Sequence, residues 1–130
     1  MLDSDQATAA ARVLTDHRCA GTRLAALPPD LRPTTRAEGY AVQAHWMEAS
    51  SRPLFGWKIA ATSEAGQKHI NVDGPIAGRL LAERVIEDGG VFVIGNSHMR
   101  LAEMEFAFRM AKDLPPRETP YRQEEVMAAV

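Results

Sequence analysis

Between Leu101 and Met110 the chain reads Leu-Ala-Glu-Met-Glu-Phe-Ala-Phe-Arg-Met, and its apolar and charged residues separate cleanly at only one period. As a β-strand the stretch places Ala102, Met104, Phe106, Phe108 and Met110 on one face and Glu103, Glu105, Ala107 and Arg109 on the other. As a helix it would turn Glu103 and Glu105 about 200° apart and set Glu105 on the stripe of Leu101, Met104 and Phe108, burying a charge. The alternation predicts a strand with one apolar side. At a rise of about 3.3 Å per residue, alternate carboxylates stand roughly 7 Å apart at their Cα atoms and can lean toward one hard cation. Glu103 and Glu105 are therefore candidate ligands for Mg²⁺ or Mn²⁺. The plainer alternative is a half-buried strand whose solvated face happens to carry two acids.

The amino-terminal third has the helical period instead. Asp3 or Ser4 can cap a helix running to about His17, with Ala7, Ala10, Ala11 and Leu14 on one stripe. Alanine there permits close packing. Three prolines hold Leu27 to Pro33 out of helix. A second helix starts at Thr35, where Thr35-x-x-Glu38 makes a capping box, and carries Tyr40, Gln43, Ala44 and Met47 along one side to about Ala49. Residues 1–52 form a helical region, and alternation begins after it.

From Leu54 to Thr62, Trp57, Ile59 and Ala61 share one face, while Lys58, Ala60 and Thr62 share the other. Lys58 is the odd member, a charge among small or apolar neighbours. It is either an edge-strand lysine that discourages aggregation or a catalytic amine facing the carboxylate pair. A short helix is expected from Ser63 to about Ile70. Asn71 to Gly78 reads as a loop whose two glycines and proline let backbone approach a ligand. Arg84-Val85-Ile86 and Val91-Phe92-Val93-Ile94, joined through Glu87-Asp88-Gly89-Gly90, read as a hairpin. Gly95 to His98 is a turn leading into the Glu103/Glu105 strand. Leu114 to Pro120 is a loop, and a last helix starts at Gln123. Helices followed by strands make the fold class α+β, with residues 53–130 as the sheet-bearing part.

Composition removes several function classes. The 130 residues have a formal net charge of −2 and scattered basic residues, which gives no field for nucleic acid or an anionic membrane. No apolar run reaches the roughly 18 residues that span a bilayer, and the acidic start is unlike a secretory signal, so a cytoplasmic location is expected. Cys19 is the single cysteine, leaving no internal disulfide, and it reads as a bland thiol. His17, His45, His69 and His98 lack ligand spacing and read as surface or packing residues.

Three stretches, in this order and spacing, carry a family resemblance: Gly56-Trp57-Lys58-Ile59-Ala60-Ala61-Thr62-Ser63, Asn71-Val72-Asp73-Gly74-Pro75-Ile76-Ala77-Gly78, and Glu103-Met104-Glu105-Phe106-Ala107-Phe108. Together with Tyr40-x-x-Gln43 and the closing Glu124 to Val130, they resemble the 2-keto-4-pentenoate hydratase branch of the fumarylacetoacetate hydrolase superfamily. The resemblance covers nearly all of this chain and about the first half of a typical member. It implies amino-terminal helices beside a mixed, mostly antiparallel β-roll, incomplete here at the carboxy-terminal side, and assembly into cytoplasmic homo-oligomers. It implies a divalent cation held by three acids, of which Glu103 and Glu105 match the first two; the third would lie beyond Val130. Lys58 matches a lysine with an acid/base role in the pocket.

The substrate implied is 2-hydroxypenta-2,4-dienoate, an intermediate of aromatic-compound breakdown, hydrated to 4-hydroxy-2-oxopentanoate. Many hydratases carry an acid just after the loop proline, where this chain has Ile76. A decarboxylase of the same branch, acting on 2-oxo-3-hexenedioate, shares the metal scaffold and is the alternative. The missing third ligand raises a different reading, a truncated, non-catalytic piece with apolar surface exposed along Met104, Phe106, Phe108 and Met110. A small complete helix-plus-sheet protein, with its acids on a solvated face, is the third.

Overall fold

The computed structural model describes residues 1–95, 97 and 99–130, so the Gly95–His98 turn expected from sequence, and the reading of His98, lie partly outside the described residues. The chain divides into two compact units, Met1–Asn96 and Ser97–Val130. The fold is α+β, with four α-helices and one two-stranded antiparallel sheet among the described residues. None of those helices is long and apolar enough to cross a membrane.

Helix α1 spans Ser4–Cys19. Asp3 caps it in a reciprocal box, its carboxylate accepting from the Gln6 N–H at 2.8 Å while the Asp3 N–H donates to the Gln6 side chain at 3.0 Å. Ala7, Ala10 and Ala11, on the expected stripe, are buried with Val42, and Leu14, Leu27, Leu31 and Trp46 pack around them. Small side chains let the second helix approach closely, which is how a core of mostly alanines closes.

That second helix, α2, spans Arg36–Ala44 and continues as a 3₁₀ turn, His45–Ala49. Thr35 caps it as expected, and Glu38 does more than complete the box. Only 5% exposed, the Glu38 carboxylate accepts from the N–H of Thr34 at 2.7 Å, of Leu2 at 2.8 Å and of Thr35 at 3.1 Å, and from the Thr34 hydroxyl at 2.9 Å. One anion thus ties the amino terminus of the chain to the start of α2. The Thr34 N–H, then the Leu2 N–H and the Thr34 hydroxyl, stabilise its charged form and lower its pKa to about 2.

Strand β1 spans Leu54–Ala60 and pairs antiparallel with β2, Ile76–Leu81. Here the structure corrects the sequence reading, because Ile76–Gly78 open a strand rather than close a loop. The glycines and proline around them lower β-propensity, and tertiary partners override it. Those partners come from α2. The Ala77 N–H donates to the Tyr40 hydroxyl at 3.0 Å, Gln43 Nε2 donates to the Ala77 carbonyl at 3.1 Å, and Gln43 Oε1 accepts from the Arg79 N–H at 3.3 Å. Two side chains one helical turn apart therefore occupy hydrogen-bonding groups that a third strand would otherwise take.

Between Leu54 and Gly56 the register slips by one residue, leaving Phe55 as the inserted residue of a β-bulge. Helix α3, Glu64–Ile70, follows β1 and is capped by Ser63. Asn71 ends it in the left-handed region, at φ +56°, a conformation that asparagine tolerates better than most side chains. The expected hairpin over 84–94 is not formed. Residues 88 and 89 turn, with Gly89 at φ +76° and the Gly90 N–H donating to the Glu87 carbonyl at 2.9 Å, but no ladder extends from that turn. Val91, Phe92 and Val93 are exposed, so the segment gains no burial that would zip the ladder.

In the unit Ser97–Val130 the expected strand over Leu101–Met110 is likewise absent. Alternation assigns side chains to faces, but a strand persists only when its backbone groups find a neighbouring strand, and no described residue of this unit supplies one. The expected apolar exposure is present: Met104 and Phe106 are 100% and 98% exposed. Arg117 organises the loop before the last helix, α4, Gln123–Met127. Its guanidinium makes a two-pronged pair with Glu125 at 3.0 and 2.8 Å, donates to the Thr119 and Pro120 carbonyls, and lies 3.7 Å from the Tyr121 ring centroid.

Gln43→Ala leaves the Ala77 carbonyl and Arg79 N–H without their partner and is expected to cost about 1–3 kcal/mol in urea unfolding, with Tyr40→Phe toward the lower end. Glu38 gives stability a pH signature. Its pKa is lowered in the fold, so its contribution is full above the unfolded-state value and is lost as pH falls toward about 2. Denaturation series across that acid window should show a loss in the wild-type chain that Glu38→Gln lacks.

Candidate functional site

Lys58 lies in the middle of β1, opposite Gly78 of β2. Burial alternates along the strand, with Leu54, Gly56, Lys58 and Ala60 half-buried and Phe55, Trp57 and Ile59 exposed. The amine is thus on the more covered face, while Trp57 and Ile59 are 48% and 46% exposed. Arg79 lies over the Trp57 ring at 4.9 Å on the pairing register that joins the two residues. Shortly after Lys58, Ala61 takes φ +56°, which a residue with a Cβ adopts only when its surroundings require it. The Ala61 carbonyl there accepts from Gln67 Nε2 at 3.0 Å, which ties the turn to α3.

The loop over 71–75 is held from α2 as well. Arg36 pairs with Asp73 and donates to the Pro75 carbonyl at 3.4 Å. Arg36, Tyr40 and Gln43 fall at i, i+4 and i+7, so one helix face grips the loop and then the strand it feeds. Sequence reasoning singled out Tyr40 and Gln43 but missed Arg36, whose signal was its place one turn earlier on their stripe. These residues, with Val72 and Ile76, line an open cleft of about 870 Å³. Lys58 is not in its wall. Ile76, where many hydratases have an acid, begins β2 opposite Ala60 and presents a hydrocarbon to that cleft.

Glu103 and Glu105 belong to the other unit, on an exposed segment without regular secondary structure. Their donor chemistry suits a hard cation, because Mg²⁺ is commonly held through one or two carboxylates and keeps several waters. Among the described residues, no three His, Cys, Asp or Glu side chains gather into a cation cage. By donor chemistry alone, Glu103 and Glu105 could supply two carboxylates to such a site.

No protein-family model matches the chain. Curated proteins do. The chain is 32% identical over 117 residues to 2-keto-4-pentenoate hydratase 1 of Dechloromonas aromatica (strain RCB), a match covering 87% of this chain and 44% of that protein. Hydratase 2 of the same organism matches with the same identity and coverage. A 2-oxo-hept-4-ene-1,7-dioate hydratase of Escherichia coli is 33% identical over 95 residues, 71% of this chain and 36% of its own length. A continuous match over 87% of the chain takes in Lys58, Glu103 and Glu105 wherever it begins. The chain spans less than half the length of these relatives and, over most of its own length, is a sequence relative of the 2-keto-4-pentenoate hydratases.

Proposed function

We propose that this chain carries part of the site of a hydratase that adds water to 2-hydroxypenta-2,4-dienoate, giving 4-hydroxy-2-oxopentanoate, in the breakdown of aromatic compounds. The observation that carries this reading is Lys58, a half-buried lysine on the less exposed face of a strand, within a stretch about one third identical to proteins named as hydratases. All three relatives described above bear hydratase names, which favours water addition over decarboxylation.

In this reading Glu103 and Glu105 hold a Mg²⁺ or Mn²⁺ ion. Once bound, the cation supplies Lewis-acid polarisation of the substrate carboxylate and C2 oxygen. Lys58 holds or relays the proton that leaves the C2 hydroxyl and arrives at C5, producing the conjugated ketone. Water then forms its C–O bond at C4, and its remaining proton goes to C3. With Ile76 in place of an acid, that position supplies no second proton-transfer group. Assembly of copies into a homo-oligomer belongs to the same reading.

Calorimetry with Mg²⁺ and with Mn²⁺ tests the ligand assignment. Glu103→Gln and Glu105→Gln should each weaken binding by about tenfold or more, whereas binding untouched by both substitutions would remove the pair from the site. Lys58→Met should leave cation affinity unchanged and lower dienoate turnover by about 10²–10⁴-fold, the usual contribution of a positioned proton-transfer group. Turnover unaffected by Lys58→Met would end its catalytic assignment.

A further inference from the structure

A second cleft in the unit Met1–Asn96, of about 330 Å³, opens between the end of α1, the His45–Ala49 turn and the end of β2. That volume is at the small end of the range for organic ligands. Leu14, Leu81 and the Trp46 ring give it apolar walls, and Arg18 and Arg84 add two cations. The Arg18 guanidinium lies over Trp46, 5.6 Å from the ring centroid. Both arginines are exposed residues that line the same space, and partial burial first, then the charge of Arg84, lowers the Arg18 pKa.

Two guanidiniums and one carboxylate line the space, a net positive wall. The carboxylate in this wall, Glu83, accepts through Oε1 from the Ser50 hydroxyl at 2.6 Å and the Ser51 N–H at 3.1 Å, which holds it toward the chain at 50–51. The Trp46 indole N–H is buried and has no hydrogen-bond partner among the described residues. A buried donor without an acceptor is rare in folded proteins. Two guanidiniums beside an indole face suit a ligand with a flat apolar body and an anionic end, since guanidinium matches carboxylate in a planar, two-pronged pair.

We propose that this cleft binds a small carboxylate of about one ring in size, its anionic end held by Arg18 and Arg84 and its body against Trp46. The site is built from residues that the hydration chemistry does not use, so it stands or falls independently of that reading. Lys58 is not among the residues that line it.

Benzoate is the probe, with benzamide as its neutral counterpart of the same shape. In the ¹⁵N-labelled 130-residue chain, the Trp46 indole N–H resonance is the one lost in Trp46→Phe. Benzoate should move it saturably, with a Kd on the order of 1 mM, and benzamide should bind at least about tenfold more weakly. Arg18→Gln combined with Arg84→Gln should weaken benzoate by at least about tenfold, while Arg12→Gln, on exposed α1 surface outside the cleft, should leave it unchanged. A benzamide shift equal to that of benzoate, or no saturable shift up to about 10 mM, would overturn the proposal on the wild-type chain alone. Undiminished benzoate binding in the folded double variant would do the same.

Discussion

Two hydrogen-bonding side chains, Tyr40 and Gln43, hold the sheet of the unit Met1–Asn96 to its helices. A two-stranded sheet is marginal in water, since each strand presents an unpaired edge and only one ladder holds the pair together. Here the edge of β2 turned away from β1 is met by a helix, and the groups exchanged are main-chain amide and carbonyl on one side and phenol and carboxamide on the other. The strand then fixes the position of Gly78, and through the ladder that of Lys58. Arg36 extends the same grip to the loop that enters β2. Helix, loop and strand therefore act as one mechanical piece, and the amine inherits its place from a helix that it does not itself belong to.

The helix starts were legible because capping is local. Asp3, Thr35 and Ser63 each precede their helix by one residue and bond within its first turn, so a window of four residues holds the information. The alanine stripe of α1 was legible for a similar reason, with period alone identifying the buried face. Strand β1 was legible from alternation, and so was the opposition of Lys58 to Trp57. Which face is the more covered was not, because that depends on what packs there.

Strand β2 and the segment over 101–110 mark the limit from opposite sides. The first has a glycine and an arginine at its centre and no clean alternation, yet it forms because β1 and α2 satisfy its backbone from both edges. The second alternates almost perfectly and does not form a strand, because periodicity describes side chains whereas a strand is a statement about backbone partners. The candidate site shows the same division. Lys58, Glu103 and Glu105 stand as candidates singled out by residue type, spacing and a family resemblance, and that resemblance is matched by the hydratases at about one third identity. Arg36 and the cleft beside Trp46 escaped notice, since both arise from residues brought together only by folding.

The bulge at Phe55 uncouples the first residue of β1 from the register of the rest. An inserted residue lies outside the ladder, so a one-residue deletion at that point would turn the bulge into regular pairing and leave every pair from Gly56 onward, Lys58 opposite Gly78 included, where it stands. The bulge is a length buffer between the helical region and the strand. A residue lost there changes the length of chain that leads into the strand without changing what Lys58 faces across it.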